Sequence, residues 1–216
     1  MIFNRVLEKI DEGRIGGNEG IPMGYPRLST FIPNIQKARY NIVCGGSGSG
    51  KSAFADSSYV FNPLDWYIEN KDKTDIKLKV NYFSFEISED RIISKQIARK
   101  IFKDHGIILD VNYILSYGQN RISDEHYQLV KNYKEYFDNL SEHLVIYGAD
   151  GHNPEGIRKT LYQYAEKNGV FSKEDNKLIY TENDPNLYTI NVLDHARLVP
   201  RQQGFSVKEN IDKLSE

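Results

Sequence analysis

The residues best suited to chemistry are Gly45-Gly46-Ser47-Gly48-Ser49-Gly50-Lys51-Ser52, whose spacing is G-x-x-x-x-G-K-[ST]. That pattern grips a chain of phosphates. Its glycines let backbone N–H groups curl around the anion where a Cβ would clash or forbid the dihedrals. Lys51 supplies a fixed cation for the β- and γ-phosphates, and the Ser52 hydroxyl is placed to ligate Mg²⁺. The ligand read from this stretch is ATP with Mg²⁺.

A phosphate cradle alone does not hydrolyse ATP; it needs an acidic group on the Mg²⁺ side and a group that orients or activates water. Asp194 closes the apolar run 187–193, so its carboxylate is expected at the C-terminal edge of a sheet, where it would hold Mg²⁺ through water. Capping the next turn is the plainer role for such a strand-end acid. Glu86 ends another apolar run and is the candidate water-activating base; its alternative is an edge carboxylate turned to solvent. His195 follows Asp194 and reads as a packing or supporting residue, and the next to test if Glu86 is not the base.

These groups require elements to hold them. Tyr40-Asn41-Ile42-Val43-Cys44 predicts a buried strand before the glycine loop, and 51–59 a helix whose N-terminus faces the anion. Phe3, Val6, Leu7 and Ile10 recur at helical spacing over 2–11, an amphipathic helix too short to stand without a surface in its own chain or a neighbour. A glycine-rich connector follows over 12–20. Residues 62–77, broken by Pro63, read as a surface connection. Residues 78–87 predict a strand, and Ser88 caps a helix that buries Ile93, Ile97 and Ile101. Val111 to Leu115 is either a short strand or a turn of helix. One helix from Ser123 presents Val130, Tyr133, Phe137 and Leu140, and 144–147 form a strand. Asn153-Pro154 starts a helix that Gly169 ends, 171–185 read as a loop, and 187–193 form a further strand. Ser206 and Glu209 make a capping box. Strands alternating with helices predict an α/β fold with a mainly parallel sheet flanked by helices.

Composition narrows the classes. The 216 residues suffice for one α/β domain with a small appendage. A net charge of −2 excludes an overall basic field, so any nucleic-acid contact must be local. The single cysteine, Cys44, excludes an intrachain disulfide and fits a reducing cytosol. The five histidines lack metal-ligand spacing, so no structural zinc is expected. No apolar run approaches a membrane span, and none at the N-terminus resembles a signal core.

Three stretches together resemble the RecA-like motor domain of DnaB-type replicative hexameric helicases, including phage-type members. They are 21–52 around the glycine loop, which is similar to the Walker A region; 81–88, similar to the stretch that carries the family's catalytic glutamate; and 188–199, similar to the Walker B strand. The resemblance implies a RecA-like P-loop NTPase over 21–216, preceded over 1–20 by a linker helix and connector that docks on the adjacent subunit. It places the catalytic base on Glu86 and the Mg²⁺-side acid on Asp194. It also implies a homohexamer that moves on single-stranded DNA in the cytoplasm of a bacterium or phage-infected cell, with Arg197 and Arg201 facing the strand. His195 stands where the family has an aromatic residue. The sensor, the later DNA loops and the arginine finger have no counterpart before Glu216, so the domain reads as incomplete at its C-terminus and weakly active alone. A RecA- or RadA-like recombination ATPase and a nucleotide-binding scaffold without turnover are the alternatives.

Overall fold

The computed structural model describes residues 2–174 and 177–214. In chain order the elements are α1 (Ile2–Arg14), α2 (Pro26–Ser29), α3 (Lys51–Ala55), a π-helical segment (Asp56–Phe61) and α4 (Asn62–Asn70). There follow β1 (Lys77–Ser84), α5 (Glu89–His105), α6 (Val111–Ile114), α7 (Asp124–Asn132), α8 (Lys134–His143) and β2 (Leu144–Tyr147). The chain continues through α9 (Pro154–Asn168), β3 (Gly169–Glu174), β4 (Lys177–Glu182), β5 (Leu187–Asp194), a 3₁₀ turn (Ala196–Leu198) and α10 (Val207–Lys213).

The fold is α/β. A three-stranded parallel sheet in the order β2-β1-β5 is flanked by helices. Parallel neighbours need long crossovers; α5 to α8 supply the one from β1 to β2. β1 is the middle strand, and from Val80 to Ser84 every residue is buried. A strand covered on both faces reads as a near-continuous apolar run, which made it legible in the sequence.

The chain divides into two compact units. The first comprises Met1–Val80 with Tyr188–Val192. Its buried side chains include Ile21, Met23, Val60, Phe61, Leu64 and Leu78. An isolated antiparallel bridge ties Ile21 to Ile35, and Asn62 Nδ2 donates to the Met23 carbonyl at 2.8 Å. The second unit comprises Asn81–Leu187 with Leu193–Glu216. One buried cluster in it joins Phe83, Ile157 and Val199, packed by Phe85, Tyr147, Leu161, Leu193 and Leu214.

Several expectations are corrected. Residues 40–44 form no strand, and Tyr40 and Ile42 are 74% and 71% exposed. A five-residue apolar run becomes a strand only where a neighbour accepts its hydrogen bonds, and nothing in the run specifies that neighbour. Residues 62–70 are helix rather than connection, with Pro63, Leu64, Asp65 and Tyr67 buried. Pro63 is accommodated because the preceding turn is widened: Asn62 N donates to Ser57 O, five residues back, in the π segment. The single helix from Ser123 is broken at Tyr133 into α7 and α8. The expected loop over 171–185 is largely the hairpin β3–β4, with Phe171 opposite Tyr180 and Ser172 opposite Ile179. On α5, Ile92 and Gln96 join Ile101 as the most buried positions, while Ile93 and Ile97 are half-buried. Residues 111–114 resolve to a helical turn that Asp110 caps.

Other local signals hold. α1 forms over the expected stretch, but Phe3, Val6, Leu7 and Ile10 are 44–68% exposed. The side chains of Ser123 and Asn153 accept from the N–H groups of His126 and Gly156. Ser206 and Glu209 close a reciprocal capping box on α10. Ser88 has the extended backbone of an N-cap, but its hydroxyl does not cap the helix. It bonds instead to Asp90, whose carboxyl it holds below the usual range.

Candidate functional site

The glycine loop belongs to the first unit. Gly48 and Gly50 have φ of +73° and +84°, in the left-handed region where a Cβ is costly. Their strain-free occupancy of that region turns the chain sharply onto α3, which begins at Lys51 with Gly50 as its N-cap. The first helical bond runs from Phe54 N to Gly50 O at 2.8 Å. Lys51 Nζ donates to the Gly46 carbonyl at 2.7 Å, so its ammonium is folded back over the loop. Gly45 is held close: a Cβ there would meet Ser49 Oγ. Residues 45–50 are exposed, while Lys51 and Ser52 are half-buried on the first turn of α3. The loop thus presents exposed backbone, a helix N-terminus and one folded-back cation on the same short stretch.

Glu86 and Asp194 belong to the second unit. Asp194 ends β5 and is 7% exposed. Phe85 N donates to Asp194 O at 2.8 Å, so the strand ends of β1 and β5 stay paired one residue short of Glu86. The Tyr82 hydroxyl lies 3.5 Å from Asp194 Oδ2, a long contact. A buried phenol seeks a polar partner, and that rule would have marked Tyr82 as a companion of a buried acid. Glu86 lies past the end of β1 and is exposed, not enclosed by the apolar run that carries it. It lines a cleft of about 360 Å³ with Ser84, Ser88 and Glu89 from its own segment and with Ile146, Gly148 and Ala149 from the end of β2. The cleft therefore lies outside the carboxyl ends of two neighbouring parallel strands, the usual place for a ligand in such a sheet.

Beside that cleft stands an aromatic group not foreseen from the sequence. Phe83 and Tyr147 stack at 4.6 Å between ring centroids, and His152 meets both edge-on at 5.5 and 5.2 Å. Burial raises the Tyr147 phenol, and the Tyr164 phenol adds to the rise. His152 Nδ1 is 3.0 Å from the Gly148 carbonyl, which pins the 148–152 turn. His195 is half-buried, and its Nδ1 is enclosed without a hydrogen-bond partner among the described residues. Arg197 sits on the 3₁₀ turn and Arg201 follows it; both are exposed.

The sequence assigns the Ser52 hydroxyl and the Asp194 carboxylate to Mg²⁺. Among the described residues no three His, Cys, Asp or Glu side chains gather into a metal-holding cluster. Mg²⁺ is ordinarily held by one or two carboxylates with substrate phosphates and water; Ser52 lies in the first unit and Asp194 in the second. Among the described residues no helix is long and apolar enough to cross a membrane. Comparisons with protein-family models, with curated proteins and with solved structures found no match to this chain.

Proposed function

We propose that the chain is the ATP-binding motor module of a RecA-like, DnaB-type DNA helicase. The observation that carries the reading is the loop 45–52: two left-handed glycines turning onto a helix that starts at the lysine, whose ammonium sits over the loop. In this reading the loop's backbone N–H groups take the phosphates, and Lys51 exchanges the Gly46 carbonyl for the β- and γ-phosphate oxygens. Ser52 and Asp194 would hold Mg²⁺, which supplies charge neutralisation on the phosphates. Glu86 takes the proton of the attacking water, a role its position beyond β1 and its exposure permit. Arg197 and Arg201 lie open to solvent and would meet the phosphates of single-stranded DNA in the assembled homohexamer.

Calorimetric titration of Mg-ATP into the wild type and Lys51→Ala tests the core of this reading. The wild type is expected to bind and the variant to lose most of its affinity with its circular dichroism unchanged. Equal affinity in the two proteins would remove Lys51, and with it the phosphate grip, from the proposal.

A further inference from the structure

We infer that the second unit carries a separate phosphate-binding cleft between α9 and the segment leading into α10. The cleft has a volume of about 260 Å³ and is lined by Pro154, Glu155, Arg158, Gln202 and Lys213. All five residues belong to the second unit, whereas the glycine loop belongs to the first.

Two cations face this cleft with little to neutralise them. Arg158 has neither a hydrogen bond nor an ion pair among the described residues. Lys213 is fixed by neutral groups: Nζ donates to Gln202 Oε1 at 3.2 Å and sits 3.8 Å from the centre of the Phe205 ring. A nearby carboxylate, Glu209, feels the Lys213 charge only as a minor influence. Glu155, the single acid lining the cleft, is engaged by Gln202 Nε2 at 3.1 Å. Gln202 is itself held in place, because its backbone N–H donates to Oδ1 of Asn210, which is 3% exposed. A rigid amide therefore occupies the one acid and orients one of the two cations. Arg158 supplies the planar guanidinium fork that matches a phosphate, and Lys213 adds a point charge. The volume admits a phosphate group with part of the ester attached to it. Free phosphate compounds and a phosphodiester strand share this chemistry.

The test uses the full chain carrying Lys51→Ala, which silences the glycine loop. Inorganic pyrophosphate is titrated by calorimetry, and a fluorescein-labelled oligodeoxythymidylate by anisotropy across a salt series. In that background Arg158→Glu is expected to weaken binding of at least one probe by about tenfold or more and to lower the oligonucleotide salt slope by about 1. Arg158→Lys should recover part of the loss. Lys159→Glu, an equal charge change at the exposed neighbour outside the cleft, should leave binding within about twofold. Pyrophosphate binding alone identifies a small phosphate compound as the occupant, and oligonucleotide binding alone identifies a strand. The inference is overturned if neither probe binds, if Arg158→Glu changes nothing, or if Lys159→Glu weakens binding as much as Arg158→Glu does. Mg-ATP binding measured without the Lys51 change is expected to be indifferent to Arg158→Glu, so failure here and failure of the ATP reading give different results.

Discussion

The Asp194 carbonyl accepts from the N–H of Phe85, the residue before Glu86, yet the two acids differ in setting. Asp194 is buried at the end of β5, and Glu86 is exposed just past β1. That contrast divides their proposed work. A buried acid beside Tyr82 suits a fixed place on the Mg²⁺ side, and an exposed one suits exchange of protons with water. Asp194→Asn is expected to weaken the Mg²⁺ dependence of nucleotide binding while the fold persists. Glu86→Gln is expected to leave binding intact and to lower turnover of the assembled enzyme by ~10²–10⁴-fold. Calorimetry with and without Mg²⁺, paired with a phosphate-release assay, reads both; unchanged turnover in Glu86→Gln would pass the role of base to another residue, His195 first.

At the scale of elements, Tyr133 shows what a break in a helix can do. It stands between α7 and α8, and its hydroxyl donates to Asp104 Oδ2 on α5 at 2.9 Å. Burial, and then the bond to Asp104 and its charge, push the phenol up to about 12. The unfolded chain releases that proton near pH 10. Between about 10 and 12 the folded chain thus holds a proton that the unfolded chain has lost, and stability falls as pH rises. Below 10 the bond contributes in full. Tyr133→Phe should flatten the fall between pH 10 and 12 in urea melts and remove a late-titrating phenol from the absorbance at 295 nm; an unaltered slope would refute the coupling. Helix starts such as Asn153 and Ser206 were legible in the sequence because a cap is satisfied within three residues. The hairpin β3–β4 was not, because its bonds join residues up to 13 positions apart through exposed, charged strands. The helix α4 was hidden for a third reason: a local rule about proline was overridden by the π turn before it. For the candidate site, the loop 45–52 and Asp194 were readable from spacing and strand ends, while Tyr82 and the Phe83–Tyr147–His152 group came together only through the sheet.

For the whole molecule, α1 offers an apolar face that nothing in the described structure covers fully, with Phe3 68% exposed. If that helix docks on a neighbouring copy, as the helicase reading holds, deleting residues 1–12 should lower the sedimentation coefficient of the assembled protein and leave the thermal transition of the domain in place. Loss of the transition with unchanged association would assign the helix to its own subunit. The division into units has a consequence for the order in which the protein is made. The first unit is not one continuous stretch: Tyr188–Val192 belongs to it, though 107 residues of the second unit, Asn81–Leu187, separate them from Val80. On the ribosome those five residues emerge after Asn81–Leu187, the longer of the second unit's two stretches, and before Leu193–Glu216. One edge of β1 must wait for them, since β1 lies between β2 and β5 and of the two only β2 has by then been made. A chain ended at Leu187 should accordingly leave the first unit's core open to protease, and the full chain, which adds Tyr188–Val192 and the second unit's Leu193–Glu216, should protect both units.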